Sequence, residues 1–343
     1  MSIHFIKPMR WIALLIAVVL VMVVMFGVIQ MPLDQGKQHL EISTSGTIQY
    51  IDFTIPYPIL QKAMKDDMAS HLQGYSGPQL HWIEILAYLG AKCGGKFNKI
   101  SNKSYSALIT QLKAGKGIAE LSKDLEFYSY YYEAYSAVLG QFLGNFAQEE
   151  AGPENTKIWK TYYGLRFFSP IAMNFSYADG DDFGNGRNYG YKRKHLGHDI
   201  FASVGTPIIA IESGTIEELG WNMYGGWRIG IRSFDGKRYY YYAHMRKNKP
   251  YVPGLEIGKT VLAGDVIGYV GRTGYSRTEN VNGMAKSHLH LGLMITFDEA
   301  VTDSSSEIWI DLFAITRLLS NHRSRVVKDP ATNEYKRMYG ISG

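Results

Sequence analysis

The spacing of hydrophobic positions changes three times along the chain. Trp11 to Ile29 is an uncharged, almost wholly apolar run, WIALLIAVVLVMVVMFGVI, of 19 residues. That length predicts a helix crossing a bilayer. Lys7 and Arg10 precede the run and Lys37 lies beyond it, a bias that favours a cytoplasmic N-terminus. The following QMPLDQGK offers no small-x-small cleavage site, so the run reads as an uncleaved anchor rather than a signal peptide.

From Tyr50 to Phe146 the period becomes helical. Trp82, Ile85, Leu86 and Leu89 fall at i, i+3, i+4 and i+7, one buried helix face, with Gly94 and Gly95 as its stop. Further helices are expected over Ser106 to Leu112 and Asp124 to Phe142. The rings of FYSYYYEAY in the last read as packing rather than as a glycan-binding surface. Ala151 to Arg193 is rich in Gly, Asn, Asp and Tyr and reads as loop. Loops of that length are often functional. Asp181, Asp182 and Asn185 are within reach of a metal there, but such residues are more often solvated turns.

From His195 to Phe297 short apolar or alternating runs separated by turn residues predict strands, and Asp235-Gly236 marks a hairpin. The segment DLFAITRLLS beyond Asp303 predicts a short helix packing back on the sheet. The expected class is α+β. Its parts are a cytoplasmic tail (1–10), a transmembrane anchor (11–29), a linker (30–49), a helical domain (50–150), a connecting loop region (151–194), a mainly antiparallel β domain (195–300) and a C-terminal tail packing on it (301–343).

Composition narrows the function class. Hydrophobic residues at 46% and charged residues at 20% argue against long disorder. The net charge of +5 is spread along the chain without a basic tract, which argues against nucleic acid and suits work beside an anionic membrane or wall. The single cysteine, Cys93, excludes an intrachain disulfide and reads as a small core residue.

Candidate chemistry gathers late in the chain. Five of the ten histidines lie between 195 and 290, in the pieces HLGHD, YAH and HLH. Side chains alternate along a strand, so His195 and Asp199 can converge on one ion, with Gly197 between them leaving room. His288 and His290 share a face in the same way. Three N/O ligands with one open position is the usual form of a catalytic zinc site, and imidazole ligands favour zinc over magnesium or calcium.

Four stretches together resemble the lysostaphin and LytM-type zinc endopeptidases, which cleave peptidoglycan peptides. HLGHDI is similar to the family's HxGxD motif and GTPIIAIESGTI to its GTP-containing strand pair. YYAHM is similar to its Tyr-x-His strand, and GDVIGYVGRTGYS followed by SHLHLGL to the glycine-rich turn leading into HxH. The resemblance covers about residues 187 to 297, and no site position of the pattern is missing. It implies His195, Asp199 and His290 as metal ligands and His244 and His288 as the catalytic histidines. His198 occupies a variable position and points to the opposite strand face. The upstream region resembles membrane-anchored Gram-positive members.

The implied protein is a zinc-dependent metalloendopeptidase, bound to the cell membrane by one N-terminal helix. It would hydrolyse peptidoglycan stem or cross-bridge peptides with a metal-activated water, its β domain facing the wall. The competing reading is a non-catalytic, membrane-anchored docking scaffold built on the same β domain, which the complete ligand set disfavours.

Overall fold

The computed structural model describes residues 49–51, 53–188, 192–296 and 308–342. The apolar run 11–29 lies outside them, and among the described residues no helix is long and apolar enough to cross a membrane. The described part begins with strand β1 (Gln49–Ile51) and helix α1 (Tyr57–Ser70). Helix α2 (Trp82–Cys93) buries Trp82, Ile85, Leu86 and Leu89, the face its spacing predicts. It stops at Gly94, whose φ of 57° is left-handed, a conformation that costs glycine least. Helix α3 (Asn102–Lys113) is capped by the Ser101 side chain, which accepts the Ser104 N–H. Two more follow, α4 (Ile118–Ser122) and α5 (Tyr128–Leu139).

The tyrosines of α5 pack inward. A Cβ at Gly90 of α2 would stand 2.9 Å from the Tyr135 hydroxyl and 3.1 Å from the Tyr131 ring, so the two helices meet where a larger residue would have to push these tyrosines aside. Helix α5 ends earlier than its aromatic content suggests, and the chain from Leu143 onward is extended. Strands β2 (Leu143–Ala151) and β3 (Lys157–Leu165) form an antiparallel hairpin in sequence expected to close a helix and open a loop. The hairpin lies at the surface, with Ile158, Trp159 and Tyr162 exposed. One polar-rich sheet face toward water leaves little hydrophobic alternation to read.

Next come β4 (Tyr177–Asp179) and the small hairpin β5 (Gly186–Asn188) and β6 (Lys192–Lys194). The expected mainly antiparallel β region follows: β7 (His198–Ala202), β8 (Pro207–Ile209), β9 (Gly214–Asn222), β10 (Gly226–Ser233) and β11 (Arg238–Ala243). It continues through β12 (Thr260–Val261), β13 (Val266–Tyr269), β14 (His288–Ile295) and β15 (Ile308–Ile310). Helix α6 (Phe313–Leu319), β16 (Val326–Lys328), β17 (Tyr335–Arg337) and β18 (Ile341–Ser342) complete the chain. The main sheet runs β1-β15-β14-β11-β10-β9-β12. On the edge of β14 away from β11, its first half pairs with β7, and β7 in turn with β4.

Helices and sheet share one core. Leu86, Leu108, Tyr135 and Phe142 belong to the same buried cluster as Ile200, Ile229, Leu291, Leu293 and Ile315. The junction is also polar. Arg238 of β11, fully buried, donates from Nη1 to the Ala137 carbonyl of α5 at 2.8 Å. The same guanidinium donates two further bonds to Glu212, at 2.8 and 2.9 Å, and one to Asp235 at 2.9 Å. A buried charge is tolerable because its donors meet carboxylates and a carbonyl.

Candidate metal centre

Strand register builds the site. Asp199 in β7 lies directly opposite His290 in β14, and His290 opposite Ala243 in β11. Antiparallel partners put their side chains on one sheet face, so Asp199 and His290 meet. His288, two residues earlier on β14, shares that face. His195 comes just before β7, outside the strand. Its backbone is clamped by the 184–185 loop, its N–H donating to the Asn185 carbonyl at 2.9 Å and its carbonyl accepting from Gly184 at 2.7 Å. His244 follows β11 with φ 60°, an unusual backbone for a residue bearing a Cβ.

The atoms converge tightly. His195 Nε2 is 2.9 Å from His290 Nδ1 and 3.1 Å from Asp199 Oδ1, and His290 Nδ1 is 3.1 Å from Asp199 Oδ1. Zinc bonds of about 2.0–2.2 Å imply a tetrahedral edge of about 3.3 Å, so the three atoms fit such an ion with slight expansion. Gly197 makes the approach possible. A Cβ there would fall 2.5 Å from His290 Cε1 and 2.8 Å from the Leu291 carbonyl.

Charge and tautomer are controlled by neighbours. His195 Nδ1 lies 3.1 Å from both the carbonyl and the Oδ2 of Asp182, acceptors that place its proton on Nδ1 and leave Nε2 for a metal. Arg187 of β5 reaches Asp199 Oδ2 at 2.8 Å and Asp182 Oδ2 at 2.7 Å with the same nitrogen. That contact ties up one carboxylate oxygen and leaves Oδ1 facing the histidines. Burial pushes the Asp199 carboxyl up, but hydrogen bonds from His195 and His290 outweigh it and hold the group well below the usual carboxylate range. Burial lowers His195, yet Asp182 and Asp199 raise it further, to about 9. In the metal-free protein a proton therefore competes with metal for Nε2.

His244 and His288 border this cluster, their rings 4.7 Å apart. His288 Nε2 is 3.8 Å from Asp199 Oδ1. His244 Nδ1 donates to the Thr273 carbonyl at 2.8 Å and His288 Nδ1 to the Lys286 carbonyl at 3.0 Å. A carbonyl only accepts, so both rings carry the proton on Nδ1 and present a bare Nε2. The glycine-rich turn delivers Thr273. Gly274 has φ +116°, and a Cβ there would meet the Tyr224 carbonyl at 2.3 Å and His244 Nδ1 at 3.0 Å. Burial, with the charges of His288 and His290, lowers His244 to about 3.

His198 points away. Its Nδ1 pairs with the Thr316 hydroxyl of α6 at 2.9 Å, and its ring stands edge-on to Phe313, on the opposite sheet face as strand alternation predicts. His71 is likewise elsewhere, stacked on Tyr163 with ring centroids 3.7 Å apart. Among the acidic loop residues, Asp181 is exposed, Asn185 contributes its backbone, and Asp182 supports His195 and Arg187. Asp182 read as within reach of a metal but more in keeping with a solvated turn, and Arg187 was not legible as a site residue. Their only signal is position in a Gly/Asn-rich loop just ahead of His195.

Comparison with known proteins follows the same segment. The profile of Peptidase family M23 matches residues 193–302. The chain is 37% identical over 145 residues to the L-Ala--D-Glu endopeptidase of Bacillus subtilis (strain 168), covering 41% of this chain and 42% of that protein. It is 39% identical over 102 residues to lysostaphin of Staphylococcus simulans, 29% of this chain and 18% of that one. The chain thus spans less than half the length of these relatives. A crystal structure from Ruminococcus gnavus, named a candidate glycyl-glycine endopeptidase lytM, shares the fold over 86% of this chain and 99% of its own, at TM-score 0.53 and 23% identity. The chain therefore carries a peptidase family M23 domain over residues 193–302, homologous to lysostaphin and to the L-Ala--D-Glu endopeptidase.

Proposed function

We propose that this protein is a membrane-anchored zinc metalloendopeptidase that hydrolyses peptide bonds in peptidoglycan. The observation that carries the reading is the triangle of His195 Nε2, Asp199 Oδ1 and His290 Nδ1, 2.9–3.1 Å on each side, bordered by the imidazoles of His244 and His288. A relative named an endopeptidase supports a hydrolase. The triangle would hold the ion, and zinc bound there polarises a carbonyl and acidifies water.

The chain's own residues supply the proton transfers. His244 and His288 are anchored by backbone carbonyls through Nδ1 and offer Nε2 as a base. One of the pair takes a proton from the attacking water as its oxygen bonds the scissile carbon. The resulting imidazolium then gives that proton to the leaving amine as the C–N bond breaks. The other, on taking up a proton from solvent at Nε2, would hydrogen-bond the developing oxyanion. Arg187 and Asp182 keep Asp199 and His195 oriented throughout.

The apolar run 11–29 serves as the anchor in this reading, with the peptidase domain outside the cytoplasm. Exposure of a C-terminal tag to protease added to intact wall-stripped cells is the expected outcome, and protection of the tag would refute the topology. The central test uses the full chain in detergent, zinc-loaded, on defined peptidoglycan, with released peptides identified by mass spectrometry. His290→Ala is expected to lose bound zinc and at least a hundredfold of the activity. Equal release by wild type and variant would sink the mechanism. Zinc binding without hydrolysis of any wall peptide would favour a docking scaffold.

A further inference from the structure

Resting on the proposed peptidase reading, we infer that Arg193 is a specificity residue that receives a substrate carboxylate close to the scissile bond. The site therefore favours acidic stem peptides over neutral glycine bridges.

Arg193 lies on β6, directly opposite Arg187 on β5, so both guanidinium groups stand on the same face of the hairpin. Like charges facing each other across two strands destabilise the pair unless each is compensated. Arg187 is compensated by Asp182 and Asp199. Arg193 has no ion pair among the described residues. Its contacts are the Tyr275 hydroxyl, to which Nη2 donates, and the ring faces of Tyr224 and Tyr275, 5.8 and 5.5 Å from the guanidinium carbon. Arginines of the main sheet differ: Arg228, Arg232 and Arg238 each hold a glutamate.

Its place relative to the reacting centre is defined by rings. Tyr275 stacks on His244 with centroids 5.9 Å apart. Arg193 is also one of the charges that oppose the upward push of burial on the Tyr241 hydroxyl, and the Tyr241 ring stands edge-on to His290 at 6.0 Å. The guanidinium is thus one ring removed from His244, through Tyr275, and one ring removed from His290, through Tyr241. An extended peptide advances about 3.3–3.6 Å per residue, so a carboxylate within one or two residues of the scissile bond reaches it. One bond to Tyr275 leaves most of its five donors for a forked carboxylate contact. Arg193 is half-buried, so that contact is partly shielded from water and stronger than a fully exposed pair.

The test uses zinc-loaded full chain in detergent and two stem peptides, identical except that the carboxylate flanking the scissile bond is free in one and carboxamide in the other. Kd is measured by calorimetry and kcat/KM by product release. Wild type is expected to bind the acid at least tenfold more tightly than the amide, with the preference in KM rather than kcat. In Arg193→Gln the acid/amide ratio should collapse toward one, and Arg193→Lys should keep part of it. A purely structural role would weaken both peptides alike and preserve the ratio. Wild type that fails to discriminate, or Arg193→Gln that still does, overturns the inference. Absence of hydrolysis with either peptide would count against the peptidase reading alone, because the binding ratio still decides the role of Arg193.

Discussion

At the scale of single residues, the site depends on atoms that leave no slack. Gly197 is the clearest case, since a methyl group there would press on the His290 ring and on the Leu291 carbonyl. Gly197→Ala is expected to weaken zinc binding at least tenfold in chelator competition, with the far-ultraviolet circular dichroism unchanged. Wild-type affinity in that variant would show that the ring has room to retreat. HxGxD and HxH were legible as ligand pieces because their geometry is local: alternation along a strand settles which side chains share a face. Arg187 was not, and Asp182 only as one of several loop residues within reach of a metal, because both act across a loop. A charge in a Gly/Asn-rich stretch carries no mark of the carboxylate or imidazole it meets in space.

Among elements, the decisive join is between the end of β11 and the glycine-rich turn after β13. Thr273 Oγ1 donates to the Met245 carbonyl at 2.6 Å and accepts the Trp227 N–H at 3.1 Å, while its own carbonyl holds His244. Gly274→Ala forces a side chain into a left-handed backbone position already filled by the Tyr224 carbonyl. The variant should lose tenfold or more in kcat while metal analysis still finds wild-type zinc, because the turn supports His244 rather than the ligands. Loss of zinc in step with activity would refute that division. Helix α2 and the sheet strands were readable in advance, since each buries a periodic face. The hairpin β2–β3 was not, since most of β3 faces water and its pairing is made by backbone groups common to every sequence.

Across the whole molecule, the helical layer and the sheet are joined by the shared core and by Arg238. Removing one partner of a buried pair leaves the other charge uncompensated, at a cost of about 3–5 kcal/mol. Arg238→Ala should show that loss in denaturant titration, with Glu212 stranded, and Arg238→Ala/Glu212→Ala should recover part of it. A stability change below about 1 kcal/mol would mean the pair is dispensable. Stability should also fall in acid. Burial lowers His322, whose Nδ1 donates to the Phe167 carbonyl at 2.6 Å beside the stacked Phe168 ring. Its folded pKa lies below the unfolded value of about 6.5. Below that pH the unfolded chain therefore binds the extra proton, and the contribution present above it is lost as pH falls. His322→Gln should flatten the stability slope below about pH 6.5 in zinc-loaded protein, and an unchanged slope would remove His322 from the account.

Features set by neighbours a few residues apart are readable along the chain: the amphipathic face of α2, the alternating strands, and the donor types that suit zinc. Which of these meet is settled by the folded chain. The β7–β14–β11 register brings Asp199, His290 and the end of the Tyr-rich strand together from positions about ninety and forty-five residues apart in the chain. It also set Arg187 behind Asp199, gave Arg193 aromatic partners alone among the described residues, and placed the helices in the same core as the sheet. The physical reason is range: periodicity records which face a residue turns inward, whereas the partner on that face is chosen by pairing and packing across the whole chain.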